Sequence, residues 1–352
     1  MRAGLTPSRH VPRRLLVTGG AGFIGSNFVR HLLAGDQAVS IVTLDALTYA
    51  GRLANLGPAL TDPRHTFVRG DICDAGLVQR LLREHGVDTV VHFAAESHVD
   101  RSITGPAPFI MTNLVGTFTL LEAARQVWDE RRSGGVRFHH VSTDEVFGSL
   151  DNNDLPFCES TAYAPNSPYS ASKAGSDHLA RAYHHTYGLP VTGTNCSNNY
   201  GPFQHGEKFI PTVIRSCLSG RPIPVYGTGM NVRDWLYVED HCRAVDQVLR
   251  CGALGEIYLV GARNERRNLD IARLICRFVA EALGQPAERY LTLVELVTDR
   301  AGHDFRYAID PGRIEREVGW RPIESFETGL RKTVEWYLVH PDFLEPGEPS
   351  AT

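Results

Sequence analysis

Cysteine pairs, charge of one sign and long apolar runs are all scarce in this chain of 352 residues. Its seven cysteines, Cys73, Cys158, Cys196, Cys217, Cys242, Cys251 and Cys276, are scattered, odd in number and form no C-x-x-C pair. That excludes a zinc ribbon, a redox dithiol and a disulfide-stapled scaffold. Lys and Arg number 36 against 40 Asp and Glu, a formal net charge of −4. No broad electrostatic footprint for DNA or RNA follows, and no nucleic acid is expected as a partner. No stretch approaches the roughly 20 continuous apolar residues of a membrane helix, so no membrane is expected either. Met1 to Arg14 holds four arginines without an apolar core and cleavage site. It reads as a flexible extension, over residues 1–13, of a cytoplasmic protein.

What is present is ordinary globular composition, 42% hydrophobic and 22% charged, with ample material for a core. The first half alternates short apolar runs with helical patterns, which predicts an α/β fold, a Rossmann-type doubly wound parallel sheet. Strands are expected at Arg14 to Val17, Val39 to Leu44, His65 to Arg69, Thr89 to Phe93, Arg137 to Ser142 and Pro190 to Asn195. Helices fill Phe23 to Leu33, Ala75 to Glu84, Phe109 to Trp128 and Tyr169 to Tyr187. After Tyr200 the pattern loosens, with one clear helix at Leu269 to Leu283. Residues 14–195 are expected to form the dinucleotide domain, 196–340 mainly a smaller C-terminal substrate lobe, and 341–352 a flexible tail.

Gly19-x-x-Gly22-x-x-Gly25 follows the first strand and opens the first helix. Its glycines allow a tight turn, backbone approach to a pyrophosphate and close helix–strand packing, and the helix N-terminus faces the negative charge. Asp45 ends the next strand, where it accepts hydrogen bonds from the adenosine ribose and repels a 2′-phosphate. NAD is therefore expected rather than NADP, although Arg52 lies close in sequence. Asp71 and Ile72, after the third strand, are expected at the adenine.

Tyr169 and Lys173 stand four residues apart on one helix face. A lysine ammonium and a nicotinamide cation would both draw a phenol's pKa down toward neutrality. With the glycine motif, the pair resembles the extended short-chain dehydrogenase/reductase family. The strand before that helix ends in Thr143-Asp144-Glu145. Thr143 can hydrogen-bond a reacting oxygen. Neighbouring carboxylates split their pKa values, which provides a general acid beside a general base. Hydride transfer alone needs neither, whereas an internal dehydration needs both.

From Leu15 to about Tyr337 the chain resembles the nucleotide-sugar 4,6-dehydratases. The resemblance is carried by Thr18 to Ser26, Asp45 with Leu47 to Gly51, Phe93 to Ser102, Ser142 to Gly148, Ser167 to Ala174, Asn195 to Pro202, Arg233 to His241 and Asp299 to Asp310. It implies dTDP-glucose as substrate and bound NAD as cofactor. It also implies that Tyr169, with Thr143 and Lys173, takes the C4 hydroxyl proton, that Glu145 removes the C5 proton and that Asp144 protonates the departing C6 hydroxyl. Further cofactor contacts implied are Phe23, Ile24, Leu47, Thr48, Phe93, Ala94, Ala95, Ser97, Thr112 and Asn199, besides Tyr169 and Lys173. Substrate contacts implied are Ser97, Thr143, Asn198, Lys208, Phe209, Pro224, Tyr226, Arg233, Asn268 and His303. Arg233, Lys208 and His303 are the cations suited to a diphosphate, and Tyr226 suits stacking on a pyrimidine.

The chain departs from the family pattern at Phe147, where tyrosine is usual, at Gly206 and Ala301, which replace proline, and at Phe305, which replaces arginine. A glycine at 206 predicts a more mobile loop before Lys208. A nucleotide-sugar 4-epimerase shares the fold and the Tyr/Lys pair but has no use for Asp144 and Glu145. A UDP-glucuronate decarboxylase needs no leaving hydroxyl, and a silent NAD sensor has no need of the whole set. By family analogy the helices at Phe109 to Trp128 and Tyr169 to Tyr187 pair with symmetry mates as a four-helix homodimer interface.

Overall fold

A computed structural model describes residues 9–130, 134–299 and 302–345. Residues 1–8 of the expected extension, 346–352 of the expected tail, and Ala301 lie outside the described residues.

Seven parallel strands form the central sheet, in the order β10-β6-β5-β4-β1-β2-β3. They are β1 (Arg14–Thr18), β2 (Ser40–Asp45), β3 (His65–Arg69), β4 (Thr89–His92), β5 (Arg137–Thr143), β6 (Val191–Cys196) and β10 (Ile257–Val260). Both faces of the central strands β1, β4, β5 and β6 are buried, whereas the edge strand β3 is partly exposed. Leu16 packs with the helices at Ala75–Glu84 and Pro168–Tyr187, through Val78, Leu81 and Ala180. Leu15 and Val17 point the other way, onto Phe28 and Val29 of the helix Phe23–Gly35 and onto Val245 and Leu249 of the helix Val238–Cys251. The doubly wound sheet expected from the alternating pattern is thus the observed fold. The reversal between β1 and β4 opens a crevice at the carboxyl ends of the strands.

The second half is more regular than its sequence suggests. Besides the expected helix, which runs Asn268–Leu283, it contains the helices Phe209–Ser219, Val238–Cys251 and Phe326–Val339. It adds a small sheet of β7 (Asn198–Tyr200), β9 (Val232–Tyr237) and β11 (Glu265–Arg267), and a ribbon of β8 (Ile223–Tyr226) with β12 (Val294–Val297). Residues 238–260 return to the central sheet as a helix and β10, while the rest builds a second core around Ile214, Trp235, Ile275 and Phe326.

Three expectations need correction. Ala107–Glu130 is a 24-residue helix long and apolar enough to cross a membrane by length and composition. Half of it is buried, and Leu120, Leu121, Ala124 and Val127 belong to the core beneath the sheet. Residues 9–13 do not stand free, because His10 is buried, its N–H donating to the Arg250 carbonyl at 2.8 Å and its Nε2 lying 2.7 Å from Thr89 Oγ1. Residues 341–345 also pack, with Leu344 in the second core.

Candidate active site

The glycine turn shows why it must be glycine. Gly19 has φ +69°, and a Cβ there would lie 2.6 Å from the Ala94 nitrogen. At Gly25 a Cβ would lie 2.3 Å from the Gly19 carbonyl oxygen. The helix Phe23–Gly35 therefore starts directly against β1 with its first N–H groups at the crevice. Asp45, at the end of β2, accepts the Ala21 N–H at 2.9 Å and the Leu47 N–H at 2.8 Å. Burial raises its pKa, while those two N–H groups act in the opposite direction.

A cavity of about 330 Å³ runs from this turn to the mouth of β5. Gly19, Gly22, Phe23, Ile24, Gly25, Asp45 and Thr48 line one end. Asp71, Ile72, Phe93, Ala94, Ala95, Ser97, Thr112, Asn198, Asn199 and Lys208 line it as well. Its shape and composition suit a dinucleotide. Leu47 does not line it. With φ +54° its backbone turns the loop after Asp45, and its side chain packs toward the core.

Thr143, Glu145, Tyr169 and Lys173 meet on the same cavity wall. Ser167 starts the helix Pro168–Tyr187 with a reciprocal cap: its hydroxyl accepts the Ser170 N–H at 3.0 Å, and its own N–H donates to the Ser170 hydroxyl at 3.0 Å. Pro168 fits the first turn because it lacks an N–H to satisfy. Tyr169 and Lys173 then emerge one turn apart, both buried. The ammonium donates to the Val141 carbonyl at 2.8 Å. Burial pushes the Tyr169 phenol well above its ordinary range, and the Glu145 carboxylate adds to this. The Thr143 hydroxyl, hydrogen-bonded to the phenol, acts in the opposite direction. Burial also lowers the Lys173 pKa, opposed by the Asp177 carboxylate.

Asp144 is 1% exposed. Burial, then Glu145 and Asp234, raise its pKa well above the carboxylate range, while the Arg233 guanidinium acts against them. Thr143 donates its hydroxyl to Asp144 Oδ1 at 3.3 Å, and Asp144 Oδ2 has no hydrogen-bond partner among the described residues. A carboxyl whose pKa burial raises, beside a less buried carboxylate, is suited to donating a proton.

The remaining predicted substrate residues do not line this cavity. Arg233 is 5% exposed and donates to the carbonyls of Val232 (2.8 Å), Asp304 (2.8 Å) and Phe305 (3.2 Å), with its guanidinium 4.2 Å from the Tyr307 ring centroid. Its guanidinium acts electrostatically on Asp144. Tyr226 and His303 meet edge-on at 6.0 Å, and His303 Nδ1 lies 2.6 Å from Asp299. Pro224 shares the exposed face of β8 with Tyr226. Asn268 donates its N–H to Asn231 at 3.0 Å, and the Phe209 ring packs near Trp235.

Several residues escaped sequence reasoning. Asp177 accepts hydrogen bonds from Tyr163 (2.9 Å) and Asn195 (3.1 Å), and its Oδ1 lies 3.0 Å from His140 Nε2. Asn195 also donates to the Thr143 carbonyl at 3.1 Å. Spacing gave one available signal: Asp177 lies four residues beyond Lys173, on the same helix face. At the rim Arg101 lies 3.0 Å from Glu207 and 3.9 Å from the Tyr49 ring centroid. Phe147, the family departure, is buried between the rings of Phe157 (5.1 Å) and Tyr163 (5.0 Å), where a hydroxyl would be out of place.

Residues 16–333 match the sequence profile described as GDP-mannose 4,6 dehydratase. The chain belongs to that family. Among members and neighbours of this GDP-mannose 4,6 dehydratase family, the dTDP-glucose 4,6-dehydratase of Salmonella typhimurium is 53% identical over 342 residues, 94% of either chain. The crystal structure of DesIV, the dTDP-glucose 4,6-dehydratase of Streptomyces venezuelae with NAD and TYD bound, superposes with TM-score 0.86 and 52% identity, covering 95% of this chain and 99% of that one. The UDP-glucose 4-epimerase of Thermus thermophilus in complex with NAD has TM-score 0.80 and 32% identity, over 92% and 99%. Fold alone therefore spans two activities, and the residues of the site must separate them.

Proposed function

We propose that the protein is a dTDP-glucose 4,6-dehydratase, an NAD-dependent hydro-lyase that converts dTDP-glucose to dTDP-4-keto-6-deoxyglucose and water. The observation that carries this is Asp144, buried next to Glu145 and hydrogen-bonded by Thr143, beside the wall that holds Tyr169 and Lys173. An epimerase moves no leaving group and needs no such acid.

Gly19, Gly22 and Gly25 with the helix N-terminus would hold the NAD pyrophosphate, and Asp45 the adenosine ribose. Bound NAD supplies a hydride acceptor that also serves as the donor later in the cycle. Tyr169, with Thr143 beside it and Lys173 behind it, moves the proton of the sugar's C4 hydroxyl; a cation brought to the site lowers the phenol from its raised resting value. Glu145 takes the C5 proton, made acidic by the neighbouring C4 carbonyl, and later returns one there. Asp144 gives its proton to the C6 oxygen, which departs as water. Lys208, whose Nζ donates to the Ser97 carbonyl at 3.2 Å, brings positive charge to the nucleotide side.

Two further readings accompany this one. Ile103, Ile110, Met111 and Phe118 are each more than 40% exposed, and they make an apolar face suited to a second copy as a homodimer. The seven cysteines, all free thiols, suit the cytoplasm. The test of the main reading is mass spectrometry after incubation with dTDP-glucose and no added reductant. Loss of one water is the expected result; an unchanged mass with inverted C4 would place the protein with the epimerases.

A further inference from the structure

The loop between β7 and the helix Phe209–Ser219 supplies Gln204, His205, Glu207 and Lys208 to the cavity wall. It is held in an unusual way. Phe203 adopts φ +71°, a left-handed backbone that is strained for an aromatic residue. Its ring is clamped from three sides, by Arg30 (3.6 Å), Trp336 (4.5 Å) and Phe343 (5.2 Å).

Two of those three clamps come from the end of the chain. The Tyr337 hydroxyl donates to the Gln204 carbonyl at 2.5 Å. Gly206 lies directly under Leu344, and a Cβ on it would sit 2.1 Å from the Leu344 carbonyl oxygen. Leu344 is 2% exposed, and its carbonyl also accepts from Arg215 at 3.1 Å. Arg52, just beyond the loop that follows Asp45, donates to the carbonyls of Asp342 and Glu345. The same short segment therefore touches both loops that border the cavity: the one after Asp45 and the one before Lys208.

We propose that residues 336–345 form a strap that fixes these two loops against each other and sets how long NAD stays bound. Gly206 is the residue that lets the strap lie flat, so its glycine secures the loop through close approach where its sequence alone predicted mobility. Arg52, engaged with strap carbonyls and not lining the cavity, is a positioning residue. The strap needs no motion during turnover; its role is to raise the barrier to opening of the cavity. The inference rests on the NAD-dependent reading above.

The test uses the full-length protein purified with its own NAD. Two variants are compared with the parent: Gly206→Val, which displaces the strap, and the double variant Arg52→Ala with Arg215→Ala, which removes its side-chain anchors and creates no clash. NAD content after gel filtration, the rate of NAD loss into cofactor-free buffer, and kcat at saturating NAD are measured, with the thermal midpoint as a check on folding. Each variant is expected to lose NAD about tenfold faster or more, with kcat at saturating NAD within about threefold of the parent. That split is one a general loss of structure would not give. Unchanged NAD retention in the double variant, with the parent holding NAD, would overturn the strap alone. A parent that binds no NAD at all would overturn the reading beneath it and the strap together.

Discussion

Lys173 donates its ammonium to the backbone carbonyl of Val141, 2.8 Å away at the end of β5, rather than to a side chain. One turn further along its helix Asp177 favours the charged lysine, and it is itself held down by His140 and Lys173 although burial pushes it up. The same carboxylate reaches Thr143 through Asn195. Two of the proposed catalytic residues thus depend on a third group that does not line the cavity.

Replacing Asp177 with Asn should show this dependence. His140, Tyr163 and Asn195 contact the carboxylate, and Lys173 faces it from its own helix. Loss of the negative charge lowers the Lys173 pKa further, so the alkaline limb of the kcat profile should move to lower pH. A buried charge left without its partner costs about 3–5 kcal/mol, so the thermal midpoint should fall as well. A pH–rate profile with an unmoved alkaline limb would contradict the assignment.

Asp144→Asn should separate stability from activity. Because Asp144 has a raised pKa in the fold, the folded state holds its proton while the unfolded chain has released it. Its contribution therefore turns unfavourable as pH rises above the ordinary carboxyl value of about 3.9, up to the folded value. The neutral amide escapes that penalty. The variant should unfold at the same or a higher temperature than the parent at pH 7, while water elimination slows by about 10²-fold or more. Calorimetry and a product assay on the same preparation check both halves.

Buried neutral histidines should make the fold acid-sensitive. Burial holds His10 down to about 4, His205 to about 4 and His241 to about 3, and lowers His92, His139 and His140. With folded values depressed, the unfolded chain takes up protons first as pH falls below about 6.5. Stability is then lost progressively toward the folded values. Thermal midpoints measured from pH 7 to pH 5 should decline steadily, and a flat profile would contradict this.

Local signals explain what the sequence made legible. The Gly19 turn, Asp45 and the Ala75–Glu84 helix are written within a few consecutive residues, and they appear where expected. The helix Val238–Cys251 was missed although Glu239 and Asp240 in its first turn and the apolar spacing of Val238, Cys242, Val245 and Leu249 announce it. The short strands β7, β8, β11 and β12 carry no period of their own, because tertiary pairing makes them. The environment of a charge is likewise non-local. The burial of Arg233 against the carbonyls of Asp304 and Phe305, some seventy residues away, could not be read from its own neighbours in sequence. The electrostatics of the Tyr169 phenol is equally non-local, because its raised pKa comes first from burial by the whole fold.

The central claim is a closed internal dehydration in which Asp144 and Glu145 handle protons and no outside reductant is consumed. Incubation with dTDP-glucose deuterated at C4, without added reductant, tests it most directly. The account predicts a product lighter by one water that carries the deuterium at C6. A product that keeps the deuterium at C4, or loses no water, would contradict it.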